Sequence, residues 1–173
     1  VITEEERKWL PSYLYKAEGS LPVIRVLRGE KMHTLQGLMD EVGAALQFFD
    51  GFGENWNALD ECLSYLDEWL PADAYILVIT KPQELLAQES EDERLWFLKI
   101  VNKVAEWWSR PIVDNDRFKR DAIPFHLILR CDERELGEVI LRFPRRFHRR
   151  WRDDQPRLSR SVSSVSLNSD SAL

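Results

Sequence analysis

Residues 74–80, AYILVIT, form a near-continuous apolar run that follows Pro71 and ends just before Pro82. A strand on the rim of a sheet alternates apolar and polar residues. A strand apolar on both sides belongs in the middle of a sheet covered on both faces, as a central parallel strand is. The rest of the chain can be ordered around it. Upstream, VIRVLRG at 23–29 alternates apolar and basic residues and closes on a turn glycine, which predicts a strand with one covered face. Downstream, AIPFHLILRC at 122–131 predicts a third strand, with Pro124 tolerable near its start, and GEVILRF at 137–143 predicts a fourth at an edge. Between the first two strands, Thr34 can cap a helix bearing Leu35, Leu38, Met39, Val42 and Leu46. Asn55 can cap a second, with a stripe of Leu59, Cys62, Leu63, Leu66 and Leu70. A short helical piece from Pro82 leads into a third long helix, with Leu95, Leu98, Val101, Val104 and Trp108 at core spacing, which Pro111 terminates. Strands separated by helices of this length imply crossovers and a small three-stranded parallel sheet with flanking helices, an α/β fold.

Residues 1–21 are expected to be an N-terminal helical extension, broken by Pro11 and closed by a turn, and 22–143 the α/β domain. Residues 144–173 are rich in Arg and Ser and are expected to form a disordered tail. A chain of 173 residues suits one such domain with appendages. No run approaches the roughly 18 apolar residues that a membrane span needs, and the acidic start VITEEERKWL has no apolar signal core, so a cytoplasmic protein is expected. Cys62 and Cys131 sit in apolar runs at no metal-ligand spacing, which predicts buried reduced thiols. No metal site, cofactor motif, nucleophile motif or phosphate-cradling glycine loop is present, and His33, His126 and His148 do not group.

Charge is unevenly placed. Eight Arg against three Asp from Arg142 onward, in a chain of formal charge −6, leave the preceding body at about −11. Such a body suits a basic protein partner reached by electrostatic steering better than it suits nucleic acid. The Arg-rich tail alone could touch nucleic acid or an acidic surface; its plainer role is to balance the acidic body.

The charge concentrates in GFGENWNALDECLSYLDEWL, Gly51 to Leu70. With Asp50 this stretch carries six carboxylates and no Lys or Arg. On a helical wheel of roughly 100° per residue, Asn57, Glu61, Ser64 and Glu68 share one stripe opposite the leucines, flanked by Asp60 and Tyr65. Helix physics would instead pair acids with cations at four-residue spacing and keep Asp67 and Glu68 away from the C-terminal end. Three readings stay open: a merely solvated face, a binding surface, and a carboxylate pair in acid–base work. The last needs a dry cleft that separates the two pKa values, whereas these acids sit on an open convex face. Of the seven Trp, Trp9, Trp69, Trp96, Trp107 and Trp108 occupy helical positions suited to packing. Trp56, beside the glycine loop, is the one placed to act as an exposed contact anchor.

The stretch FGENWNALDECL, Phe52 to Leu63, resembles the aromatic-G-E-N-x-D-A-L-x-D-C-L segment of the barstar family, intracellular inhibitors of the ribonuclease barnase. The element order over residues 22–131 is similar as well. The resemblance implies a three-stranded parallel sheet with helices, in which the loop and helix plug a ribonuclease active site. Glu61 falls where the family has its dominant aspartate, and Asn57 where it has a second. Asp60 replaces an aromatic, Gly51 falls near a contact aromatic, and Gly53, Glu54 and Asn55 match as loop and cap. Glu106 is a candidate for a further acidic contact from the last long helix. These departures imply a nuclease with a related but differently shaped basic cleft.

The expected partner surface is therefore Gly51, Gly53, Glu54, Asn55, Trp56, Asn57, Asp60, Glu61, Ser64 and Glu68, with no catalytic residue and no cofactor. Carboxylates at one-turn spacing would imitate the phosphates of RNA in the cationic site of a ribonuclease toxin. The free inhibitor is expected to be a monomer. A module of the same fold with a non-nuclease partner is the alternative.

Overall fold

The computed structural model describes residues 21–113, 119–143, 149–150 and 163–167. The predicted N-terminal helix lies outside the described residues. Strand β1 spans Pro22–Arg28, β2 Ala74–Thr80 and β3 Phe125–Cys131. They pair in parallel with β2 in the centre, Ile24 opposite Ile76 and Ile76 opposite His126. The first six residues of β2 are buried. On one face Tyr75, Leu77 and Ile79 join the main core; on the other Ile76 and Val78 form a smaller cluster with Ile24, Val26 and Ile128. The two-sided apolar run thus marks a central strand.

Helix α1, Leu35–Leu46, and helix α2, Trp56–Ser64, connect β1 to β2; helix α3, Glu91–Trp108, connects β2 to β3. Each begins on a side-chain cap. Thr34 accepts from Gly37 N, Asn55 from the backbone of Asn57 and Ala58, and Ser90 from Glu93 N. Their apolar stripes meet the main core through Leu38, Met39, Val42 and Leu46 of α1, Leu59 and Leu63 of α2, and Phe97, Leu98, Val101, Val104 and Trp108 of α3. Cys62 and Cys131 are buried free thiols, and burial pushes both pKa values up.

Two segments depart from the expected pattern. GEVILRF is not an edge strand: Leu136–Arg142 forms helix α4. Its β-branched residues suggest a strand, but Leu136, Val139 and Phe143 recur at helical spacing, and Val139 and Phe143 are fully buried. The second crossover helix does not continue to Leu70. It stops at Ser64, and a 3-10 turn follows at Leu66–Glu68. Tertiary anchors draw the chain aside there: the Trp69 indole donates to the Leu46 carbonyl at 3.1 Å, and the Tyr75 hydroxyl donates to the Leu70 carbonyl at 2.9 Å. Most of the expected tail, residues 144–148, 151–162 and 168–173, lies outside the described residues. Strand β4, Arg149–Arg150, and strand β5, Ser163–Leu167, extend the sheet in the order β1-β2-β3-β5-β4, with β5 antiparallel to β3. The outer edge of β3 offers unpaired backbone groups, and a Val/Ser alternation supplies a segment able to pair with them.

Candidate protein-binding ridge

The ridge is built from one loop and one short helix. Glu54, rather than Gly51 or Gly53 before it, takes up a left-handed backbone, φ 46°. Its carboxylate accepts from Gln36 Nε2 at 2.7 Å, which ties the loop back to α1. Space at Gly53 is tight: a Cβ there would lie 3.0 Å from Asn55 Nδ2, the group that donates to the Gly53 carbonyl at 2.8 Å. Asn55 therefore serves both ends of the turn, since its Oδ1 also accepts from Asn57 N at 3.0 Å and Ala58 N at 3.1 Å. Gly51 is exposed beside the Phe49 ring.

Leu59, Cys62 and Leu63 are the buried side of α2. Its C-terminal carbonyls, orphaned in any helix, are met by two adjacent indoles of α3. Trp108 donates to the Leu63 carbonyl at 2.9 Å and Trp107 to the Ser64 carbonyl at 3.0 Å. Position and rotation of α2 are thereby set by α3. At the other end the Trp56 indole, half-buried against the core, donates to Glu93 Oε2 at 2.6 Å. Trp56 is thus a strut between helices and not the exposed anchor expected from its place beside the loop.

The outward side carries the charge. Asn57 and Glu61 are exposed. Glu61 has no hydrogen bond or ion pair among the described residues, and its charge is felt by the neighbouring Cys62 thiol as a lesser upward push after burial. Asp60, one residue away, is different: it is half-buried and ion-paired with Lys103 of α3. The stretch without internal cations is therefore compensated in part from another helix. Ser64 is half-buried. Glu68 is exposed but stands on the 3-10 turn past the end of α2, off the helical ridge that joins Asn57 and Glu61. Glu106 is half-buried, and the part of α3 beside the ridge presents Lys103 and Trp107 instead.

Two exposed aromatics beside the ridge were absent from the expected surface. Phe49 is 59% exposed and Tyr65 46%. In the Phe48–Phe49 pair only Phe48 turns inward, its ring 4.8 Å from Phe52 and 6.0 Å from Trp69. Adjacent aromatics in a loop carry no periodicity that says which one faces out. Trp96 and Trp107 are likewise exposed, at 51% and 42%, where packing positions were expected; Trp108 is fully buried and Trp69 packs on the core as expected.

The model of the Barstar (barnase inhibitor) family matches residues 23–130, a span that holds the loop, the Asn55 cap and Glu61. The chain belongs to the barstar family. A search of curated proteins returns no significant match. The barstar domain makes the chain a barnase-inhibitor-like protein-binding module, in a family of inhibitors rather than enzymes. Within the matched span lie all the residues of the expected surface, from Gly51 through Glu68.

Proposed function

We propose that this chain inhibits a basic ribonuclease toxin, as an immunity protein acting in the cytoplasm, by placing the loop 51–55 and the outward face of α2 in the nuclease active site. The observation that carries the reading is the contrast at neighbouring positions: Asp60 is given a cation by Lys103, while Glu61 is left exposed with no partner among the described residues. A ribonuclease gathers cationic groups around a scissile phosphate, and a free carboxylate on a rigid helix can take the phosphate's place there. Rigidity comes from the Asn55 cap at one end of α2 and the two indoles at the other, so little ordering cost remains for binding.

If a basic ribonuclease is encoded beside this chain's gene, its inhibition tests the reading. Wild type should block RNA cleavage stoichiometrically and associate fast in low salt. Glu61→Ala should weaken the complex by about 2–5 kcal/mol, the usual cost of truncating one member of a buried interfacial charge pair, a range to which barstar-type complexes themselves contribute. Equal inhibition by wild type and Glu61→Ala would remove the site assignment. The neutral Asn57 and the Lys103 counter-ion, both of which dilute the negative ridge, support the alternative of a non-nuclease partner. Recovery of such a protein at stoichiometry, with no nuclease bound, would favour it.

A further inference from the structure

Between Trp96 and Trp108, helix α3 exposes four residues: Trp96, Lys99, Lys103 and Trp107. At roughly 100° per residue they lie within about 80° of one another and form a single stripe. No carboxylate interrupts its exposed positions, on a chain whose body is strongly acidic. The stripe is ordered. Lys99 Nζ stands 4.6 Å from the Trp96 ring centroid, and the Arg120 guanidinium is 5.7 Å from the Trp107 ring. It also adjoins the acidic ridge directly, through Lys103 on Asp60 and the Trp107 indole on the Ser64 carbonyl.

Folding accounts for only part of this stripe. Trp107 helps to close α2, and Lys103 neutralises Asp60. Trp96 does neither: it is half out of solvent contact, makes no hydrogen bond among the described residues, and touches a cation. Lys99 has no carboxylate partner among them either. Interface centres are enriched in Trp and Arg, which carry much of the energy, and here two exposed Trp stand on one stripe with the Arg120 guanidinium over one of them. Two packed helices stand about 8–10 Å apart, so acids on α2 and cations on α3 make a surface of two signs one helix diameter across. A partner offering only a cationic cleft would be repelled by Lys99. A partner that fits must present carboxylates at that spacing from its cleft.

We propose that Trp96, Lys99 and Trp107 form the second half of the docking surface and receive a carboxylate-bearing lip of the same ribonuclease whose cationic cleft takes Glu61. The proposal rests on the ribonuclease reading above and adds what the partner must look like: a basic cleft bordered by acidic side chains, with an apolar patch for Trp96 between them.

The test uses the full chain and the ribonuclease that the reading above calls for, with affinity and association rate measured for wild type, Glu61→Ala, Trp96→Ala and Lys99→Glu. Trp96→Ala should weaken binding roughly ten- to a hundredfold, as loss of an aromatic anchor does. Lys99→Glu should slow association severalfold, an effect that fades at high salt. Both side chains lie outside the core, so unfolding midpoints should stay at the wild-type value. Loss of affinity in Glu61→Ala with none in the two stripe variants overturns this inference and leaves the ribonuclease reading standing. No loss in any variant overturns both. A loss in Trp96→Ala with faster association of Lys99→Glu overturns the acidic lip. If sedimentation shows wild type dimeric and Trp96→Ala monomeric without the nuclease, the occupant is a second copy of this chain, and the lip is again excluded.

Discussion

Glu41 and Glu61 are the same side chain on consecutive helices, and the fold treats them oppositely. Glu41 is 9% exposed and accepts three N–H groups from one residue: Arg28 N and Nε at 2.9 Å and a terminal nitrogen at 2.8 Å. These bonds hold its carboxyl below the usual glutamate range, outweighing the upward push of burial. Glu61 is exposed and has no such donor among the described residues. A carboxylate whose donors come from its own chain is part of the scaffold. One held outward on a capped helix, with its neighbour Asp60 already neutralised, keeps its hydrogen-bonding capacity for another molecule.

The sharpest way to break this contrast is to truncate both. Glu61→Ala should cost about 2–5 kcal/mol of nuclease binding and leave the urea midpoint unchanged; a large stability loss would make it a scaffold residue after all. Glu41→Gln should do the reverse, lowering stability by roughly 1–3 kcal/mol because a buried donor of β1 is left poorly satisfied. Glu41's folded pKa lies below its unfolded value. Its contribution is therefore complete above a pH of about 4.5 and is lost as pH falls through the folded value. Acid denaturation followed by circular dichroism should show a shallower acid limb in Glu41→Gln than in wild type.

A smaller effect belongs to the cap that holds the ridge. Asn55→Ala removes the acceptor for two amides of α2 and should cost about 1 kcal/mol of stability, with a matching fall in binding as the first turn frays. If the affinity were unchanged, preorganisation of α2 would not matter. Asp60→Asn should change stability least, by under about 1 kcal/mol, since Lys103 is largely exposed. It should still weaken nuclease binding modestly by leaving a free cation beside Glu61, and the loss should shrink in high salt.

How much of the molecule could be read in advance follows the range of the forces involved. The caps at Thr34 and Asn55, the leucine stripe of α2 and the two-sided burial of β2 are settled among residues a few positions apart. They were legible. Glu61 was legible in the same way, because the wheel that buries Leu59 and Leu63 turns it outward. The strand that became α4 and the overlong α2 show the limit: Val139, Phe143 and Trp69 were decided by which distant surface each could reach.

By itself, then, the sequence determined the α/β order, the central strand and an acid-bearing face on a capped helix, because periodicity and capping act within one or two turns. Only the tertiary structure decided that Lys103 neutralises Asp60 across 43 positions of chain, that Trp107 and Trp108 close the end of α2, and that Trp56 is a strut while Trp96 stands in solvent. Those outcomes depend on how two helices rotate against each other to bury their stripes. That angle belongs to the packed pair and to neither segment alone.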